Sequence, residues 1–333
     1  MNGDKGPPEP RFEPETDAFG TTIFHEPWWL SAASKGRYNE VTVKQGNEVV
    51  GRLPFLLNKR MGFRLVRMPP LTHLLGPIVV AGDGKYQTQM GRRLSIVRAL
   101  IDQLPHFHFF KQALDPSIAS GLAIADGLAF QERGFTVKPQ YNFQIDCRRD
   151  LSGVWDGMNF KTRQHIRQAE QRYLVAPLDD PQQFVDFYTS TLARRIRNAA
   201  QSNLHNFPLL YTECKARTCG EILVAKTPRG VPAAMTFLVW GYGYMYYLLS
   251  TRVANIEDNG STNLLIWEAI KRAHKLRLTF DFDGIATSGI ARFYAGYGGK
   301  IKTRLIVTGV KSIYRGMQYL SRLNKPDESH KFT

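Results

Sequence analysis

The order of predicted secondary-structure elements repeats once along the chain, and this repeat constrains the fold more than any other feature. In each half, three runs rich in β-branched and aromatic residues are separated by glycine-containing turns, which predicts a three-stranded antiparallel meander. A helix with apolar residues on one face, a short strand, a short helical segment and a last strand follow. Two copies of β-β-β-α-β-α-β predict an α/β (α+β) fold, in which each lobe is a mixed, largely antiparallel sheet flanked by helices. The main strands and the long helix are predicted at 41–44, 49–57, 63–68, 90–104, 106–111 and 136–146 in the first half, and at 221–226, 231–240, 244–250, 261–276, 277–282 and 300–307 in the second.

The repeat also predicts the domain organisation. Residues 1–20 are rich in Pro and Glu and are predicted to be disordered. Residues 21–147 form the first lobe, and residues 148–206 form a helical connector that belongs to the second lobe, residues 207–309. Residues 310–333 form a C-terminal basic helix and tail, because apolar residues recur there at helical spacing among Lys and Arg.

The charge balance limits the kinds of ligand. The 333 residues include 44 Lys and Arg against 29 Asp and Glu, a formal net charge of +15, which points to a polyanionic ligand, an anionic membrane surface or nucleic acid. Three cysteines cannot form a disulfide framework, so a reducing compartment is favoured. The acidic, Pro-rich start differs from a signal peptide, and no apolar run of about 18 residues predicts a membrane span. We therefore expect a cytoplasmic protein with peripheral access to an anionic membrane.

Three stretches carry a resemblance to a known family. They are residues 24–29, residues 161–167, and residues 280–284 followed by 289–294 and Gly298. With the β-β-β-α-β-α-β order they resemble the GNAT acyltransferase fold, and the tandem arrangement is similar to the Fem-type peptidyltransferases and to acetyltransferase-like proteins of bacterial envelope and exopolysaccharide gene clusters. The resemblance implies transfer of an acyl group from acyl-CoA (acetyl-CoA), without a metal, to an amine of an amino sugar or peptide.

The resemblance implies a donor site at the start of the second lobe's long helix. The family binds the acyl-CoA pyrophosphate at a glycine-containing loop there, where backbone N–H groups and the helix dipole favour anions. The corresponding residues are Gly260, Ser261, Thr262 and Asn263, preceded by the acid Glu257. A helix start capped by Ser or Thr, without a ligand, is the alternative interpretation.

Tyr294 is the candidate acid. It stands four residues before Gly298, where many GNAT enzymes place the tyrosine that protonates the leaving thiolate. The first half has Phe130 at the matching position, and a phenyl ring cannot donate a proton, so the second lobe is expected to be the catalytic one. Fem-type sequences usually carry Lys at this position, and a tyrosine that only packs is the alternative.

Asp281 and Asp283 are the candidate bases for the incoming ammonium. They alternate with Phe280 and Phe282, so both acids are expected on one side of a strand. The amides of residues 247–250 are the expected donors to the oxyanion. A capping or ion-pairing role for one of the acids is the alternative.

Four residues are candidates for contact with the acceptor. Arg163 and Arg167 are neighbours at i, i+4 on the connector helix and are suited to a phosphate or carboxylate. Tyr247 and Trp28 belong to aromatic segments that suit a sugar or peptide, in a cleft between the lobes. A solvated helix face and core packing are the respective alternatives.

Three further functions remain open from the sequence. A Fem-type transferase would take its acyl group from aminoacyl-tRNA, and the charge of +15 suits that partner. A degenerate double GNAT protein would bind ligands without catalysis. A membrane-peripheral enzyme would use a lipid-linked acceptor and the C-terminal helix. The sequence predicts no oligomeric state.

Overall fold

The structure is a computed structural model, and it describes residues 22–118, 121–193, 204–253, 260–285, 287–312 and 314. The predicted disordered N-terminus, the end of the second connector helix near Arg194, Glu257 and nearly all of the predicted C-terminal helix lie outside these residues. None of the helices within the described ranges combines the length and apolar character that crossing a membrane requires.

The predicted β-β-β-α-β-α-β order is confirmed in both halves of the chain. The described residues form, in chain order, a 3₁₀ turn (Ile23–His25), α1 (Pro27–Ser34), β1 (Tyr38–Gln45), β2 (Glu48–Arg60), β3 (Phe63–Arg67), β4 (Ile78–Val79), α2 (Tyr86–Asp102), β5 (Phe109–Leu114), α3 (Ile124–Glu132), β6 (Thr136–Asp146), α4 (Leu151–Asp156), α5 (Phe160–Glu170), β7 (Leu174–Pro177), α6 (Pro181–Ala193), α7 (Phe207–Ala216), β8 (Gly220–Lys226), β9 (Pro232–Gly241), β10 (Tyr244–Arg252), α8 (Ser261–Lys275), β11 (Thr279–Asp281), α9 (Ser288–Ala295) and β12 (Lys300–Val310).

The chain divides into two compact units, each built around one meander. Unit 1 comprises Met1–Gly36 and Gln140–Thr303, and unit 2 comprises Arg37–Pro139 and Arg304–Thr333. The domain bounds predicted from the repeat do not coincide with these units, because the N-terminal helix α1 belongs to unit 1 although it precedes the first meander. Phe24 packs 4.9 Å from the ring of Tyr246, and the Asn206 side chain donates to the carbonyl of Ala33.

In unit 2, β1, β2 and β3 pair antiparallel, β3 pairs parallel with β5, and the last residues of β12 pair antiparallel with β5. Helices α2 and α3 cover one apolar face of this sheet, because their Leu, Ile, Val and Phe side chains recur at helical spacing. Phe110 and Phe130 are fully buried in this core.

In unit 1, β7, β8, β9 and β10 pair antiparallel in sequence order, and β10 then pairs parallel with β11. The last residues of β6 pair antiparallel with β11. Helix α8 packs its apolar face, including Leu265 and Ile266, against this sheet. The last strand of each sequence repeat thus pairs with the second-to-last strand of the other repeat: β6 pairs with β11, and β12 pairs with β5.

Gly298 holds the link between α9 and β12 against the link between α4 and α5. Its φ is +77°, a left-handed conformation that L side chains rarely adopt, and a Cβ there would overlap the carbonyl of Gly157. Two residues before Gly298, the carbonyl of Gly296 accepts a 2.9 Å hydrogen bond from the backbone N–H of Asn159 in the link between α4 and α5. The close approach of these two backbones therefore requires glycine at position 298.

We expect Gly298→Ala to lower the free energy of unfolding by about 3 kcal/mol, since the left-handed conformation and the forced backbone shift both cost energy. The matched control is Gly230→Ala, which has the same kind of conformation (φ +81°) but open space around its Cβ. This control should cost only about 1 kcal/mol. Denaturant unfolding of both variants measures the difference, and equal losses would contradict the close approach.

Candidate functional site

Strands β10 and β11 separate after a short parallel pairing, and the candidate site lies where they part. Three residue pairs join them, the last being Tyr246 with Asp281. Beyond that pair the chain leaves β11 through Asp283 (φ +62°) and Gly284 (φ +111°), whereas β10 continues to Arg252. The register of β10 with β9 also shifts between Tyr247 and Leu249, and a bulge of this kind bends a strand.

A pocket of about 470 Å³ lies at the end of β10 beyond this separation. Helices α5, α8 and α9 contribute its walls, and we call it the donor pocket. The residues that line it are His165, Arg252, Gly260, Thr262, Asn263, Gly289, Ile290 and Phe293.

The N-terminus of α8 opens into the donor pocket. Its N-cap is Gly260 (φ +97°), and a Cβ there would lie 2.8 Å from the carbonyl oxygen of His165 on α5. Glycine has no side chain to cap the helix, and the first-turn N–H groups of a helix lack intrahelical acceptors. Thr262 and Asn263 line the pocket with Gly260, and Ser261 is buried beside them. The four predicted donor-site residues therefore lie together, and the helix dipole favours an anion there.

Tyr294 lies on α9, against the chain that leaves β11. Its ring centroid is 4.4 Å from that of Phe282, and burial raises the pKa of its phenol to about 12. It is close enough to Tyr247 on β10 that negative charge on Tyr294 raises the pKa of Tyr247, although burial of Tyr247 is the larger cause. The structure thus brings the predicted acid and Tyr247 together where β10 and β11 part.

Two of the aromatic residues around Tyr294 belong to the core. The hydroxyl of the buried Tyr247 donates to Ser250. Tyr297 is also buried, and its hydroxyl accepts a 2.9 Å hydrogen bond from Asn263 of the donor pocket. Burial raises the pKa of Tyr297 well above its ordinary value. Tyr247 therefore supports the site from within the core, and its hydroxyl already has a partner.

Asp281 is buried at the end of β11, and its carboxylate accepts hydrogen bonds from three groups. Asn142 donates to both oxygens at 2.9 and 2.8 Å, Gln144 donates at 2.7 Å, and the backbone N–H of Asp283 donates at 2.7 Å. The expectation that the two acids share one side of a strand is wrong, because β11 ends at Asp281 and Asp283 adopts the left-handed conformation. Asp281 thereby fixes the turn that carries the half-buried Asp283.

The structure places the remaining predicted residues outside the lining of the donor pocket. Arg163 donates to the carbonyl of Asp156, and Arg167 lies over the ring of Trp155 at 5.5 Å. Trp28 is buried on α1, with the guanidinium of Arg217 4.7 Å from its ring centroid. The two arginines thus join α5 to α4, and Trp28 joins α1 to the residue that caps the end of α7.

Five of the eight residues that line the pocket are not among the predicted site residues: His165, Arg252, Gly289, Ile290 and Phe293. The sequence holds only a weak signal for them. His165 lies between Arg163 and Arg167 on α5, and the i, i+4 pattern selects the two arginines but not this histidine. Arg252 is the last residue of β10, and its position at the end of a strand gives no sign of a ligand contact. Among the residues that the structure describes, no group of three or more His, Cys, Asp and Glu side chains is placed to bind a metal.

The chain is similar to a known domain family and to several solved structures. Residues 160–292 match the family model described as "Acetyltransferase (GNAT) domain". FemX has a similar structure, with a TM-score of 0.64 at 13% identity, covering 91% of this chain and 94% of that one. A conserved protein of unknown function from Bacteroides thetaiotaomicron gives 0.56 at 13% identity (90% and 94% covered), and L-PGS from Bacillus licheniformis gives 0.51 at 12% (88% and 90% covered). A search of curated proteins finds no match. The fold of the chain is therefore similar to that of FemX, and residues 160–292 resemble a GNAT domain.

We expect Asp281→Asn to lower the free energy of unfolding by about 2 kcal/mol, because its new amide group would face the amide donors of Asn142 and Gln144. Asp283→Asn is the matched control, since it makes the same change in a half-buried residue two positions away. The control should cost less than about 1 kcal/mol. Thermal unfolding of both variants tests this, and a fully stable Asp281→Asn protein would contradict the structural role.

Proposed function

We propose that this chain, whose residues 160–292 match a GNAT domain model, is an N-acyltransferase that moves an acyl group from acyl-CoA to a primary amine. One observation carries the proposal: the N-terminus of α8, with glycine as its N-cap, opens into a pocket at the point where β10 and β11 part. Such a helix start binds phosphate, and the separation of the two strands exposes the edge of β10 to an extended ligand.

The residues of the donor pocket fit an acyl-CoA substrate. The first-turn amides of α8 suit the pyrophosphate, and the guanidinium of Arg252 and the imidazole of His165 add hydrogen-bond donors at the same pocket. Ile290 and Phe293 supply apolar wall for the uncharged arm of the ligand. The thioester would then lie along β10, toward Tyr294.

The proposed reaction uses residues on both sides of the strand separation. Asp283 accepts a proton from the acceptor ammonium, and the free amine attacks the thioester carbonyl. Backbone N–H groups of residues 247–250 donate to the oxyanion. The C–S bond then breaks, and Tyr294 protonates the leaving thiolate. The attacking nitrogen loses its remaining extra proton, which returns the phenolate of Tyr294 to the phenol. Burial keeps this phenol protonated across the neutral and mildly alkaline range. Asp281 positions Asp283 and takes no part in proton transfer.

The proposed acceptor is an amino sugar or peptide used in synthesis of the cell envelope or an exopolysaccharide, either free or linked to a lipid. Two facts support it: the fold similarity to FemX, and the formal net charge of +15, which suits acceptors that carry phosphate or carboxylate. We propose that the reaction takes place in the cytoplasm, where acyl-CoA is available, at or near the anionic membrane surface.

A third prediction concerns the acyl donor. Acetyl-CoA should raise the unfolding temperature, and Thr262→Asp should weaken its binding at least about 10-fold, because a carboxylate in the first turn of α8 repels pyrophosphate while it favours the helix. Gln182→Asp is the matched control, since Gln182 occupies the same second helical position in α6. Calorimetric titration measures both dissociation constants. Stabilisation by aminoacyl-tRNA and not by acetyl-CoA would contradict the proposal and favour the Fem-type alternative.

A fourth prediction concerns the proposed general acid, Tyr294. Tyr294→Phe should lower kcat by about 100-fold, because loss of a general acid has this typical effect. The dissociation constant for acetyl-CoA should stay the same. The assay follows CoA thiol release from acetyl-CoA with glucosamine and with an alanine-terminated peptide as acceptors. Tyr141→Phe, at an exposed tyrosine on β6, is the control. Full activity of Tyr294→Phe with a measurable acceptor would show that the tyrosine only packs.

A further inference from the structure

A second pocket in unit 1 lies at the opposite end of β10 and β11 from the donor pocket. It has a volume of about 310 Å³ and includes Tyr244 and Thr279, the first residues of these two strands. Arg252 of the donor pocket is the last residue of β10. Since a strand rises about 3.4 Å per residue, roughly 25 Å of strand β10 separate Tyr244 in this pocket from Arg252 in the donor pocket. This second site is therefore distinct from the donor pocket, and we call it the basic pocket.

Four cationic side chains and one carboxylate line the basic pocket. The residues that line it are Gln144, Ile145, Asp146, Arg148, Arg149, Tyr244, Thr279, Gly298, Lys300 and Lys302. Positive charge is thus concentrated around a concave surface, whereas on a solvated face it would be spread over a convex one. This arrangement attracts an anion.

Asp146 orients the two arginines. Its carboxylate accepts from Nε and Nη2 of Arg148 at 2.7 and 3.1 Å, and its backbone carbonyl accepts from Nε of Arg149 at 3.2 Å. The backbone N–H of Arg148 also donates to the carboxylate at 3.1 Å, which closes the turn after β6. A guanidinium has five N–H donors, so both arginines keep donors for a ligand. The two guanidinium groups are therefore held in place before any ligand binds.

Lys300 and Lys302 supply charge that no carboxylate neutralises within the described part of the chain. They alternate on β12, so both lie on the same side of this strand, and both are exposed. Like charges side by side on a strand repel, and an anion between them relieves that repulsion.

A third pocket in unit 1 serves as a contrast. It has a volume of about 650 Å³ and also has cationic walls, but its Lys271 pairs with Glu268, and its Arg272 pairs with Glu221. Those charges are satisfied by neighbouring carboxylates. The lysines of the basic pocket are not, so the basic pocket has the stronger attraction for an anion.

We propose that the basic pocket binds a phosphate or diphosphate group of a small molecule. The arginines and lysines match the charge and the bidentate geometry of phosphate oxygens. Thr279 and Gln144 add polar side chains, and the ring of Tyr244 offers an aromatic wall to whatever the phosphate is attached to. A nucleoside diphosphate, free pyrophosphate and a phospholipid headgroup share this chemistry. The proposal does not depend on acyl transfer.

The test measures pyrophosphate binding by calorimetry at low ionic strength in the Thr262→Asp protein, in which the donor pocket repels pyrophosphate. We expect saturable binding that Lys300→Gln/Lys302→Gln weakens at least 10-fold. The matched control is Lys59→Gln/Lys138→Gln, which removes the same charge from exposed strand positions of unit 2 and should change the affinity less than twofold. Arg149→Gln provides a second disruption of the pocket, outside any strand. Unfolding temperatures verify that all variants are folded.

The remaining arms distinguish the sources of the phosphate. Uridine diphosphate that binds more tightly than pyrophosphate, with the difference lost in Tyr244→Leu, indicates a nucleotide. Cosedimentation with phosphatidic acid vesicles, lost in Lys300→Gln/Lys302→Gln, indicates a lipid headgroup. Either result supports the proposal. Absence of saturable pyrophosphate binding, or an equal loss in the control variant, overturns it, whether or not acetyl-CoA is a donor.

Discussion

Strands β10 and β11 pair over only three residues, and this short pairing determines where unit 1 has an opening at the edge of β10. A longer parallel ladder would close the edge of β10 and leave no opening next to α8. The ladder stops because Asp281 draws the backbone N–H of Asp283 back onto its carboxylate, and the chain then turns away through two residues of positive φ. The opening is thus built by a buried carboxylate and its amide donors. The cost of burying that charge is offset by hydrogen bonds to its two oxygens.

Close backbone contacts hold the walls of this opening at the right spacing. Gly260 lets α5 approach the start of α8, and Gly298 lets the link after α9 approach the link before α5. Both glycines combine a positive φ with a neighbouring carbonyl that leaves no space for a side chain. Helix α5 therefore acts as a support for two pocket walls at once. The arginines on its outer face serve the same support, since they contact Asp156 and Trp155 of α4.

Much of the fold could be predicted from the sequence, because strands, turns and amphipathic helices leave local patterns. Strand β6 was predicted with its observed bounds, and β10 and α8 within two residues. The residues proposed for the donor site, Gly260 to Asn263, are contiguous, so one local motif is enough to predict that they lie together; their role stays a prediction. The partners of Asp281 could not be predicted, since Asn142 and Gln144 come from the other sequence repeat and a long-range pairing brings them there. A different reason applies to Trp28 and the connector arginines: their residue types suit both ligand contact and helix packing, so the sequence alone leaves both roles open.

The pairing of β12 with β5 has a consequence for how the protein is made. A ribosome releases the N-terminal part of the chain first, so β5 can pair with β3 early but must wait for its second neighbour, β12, until residues 305–310 have emerged. During that interval one edge of its sheet is open, and an unpaired edge is a template for incorrect association. Unit 2 therefore completes its sheet only after residues 305–310 have been synthesised, although most of its residues are made early. Loss of the last residues of β12, through a premature stop or a protease, would return the finished protein to that exposed intermediate.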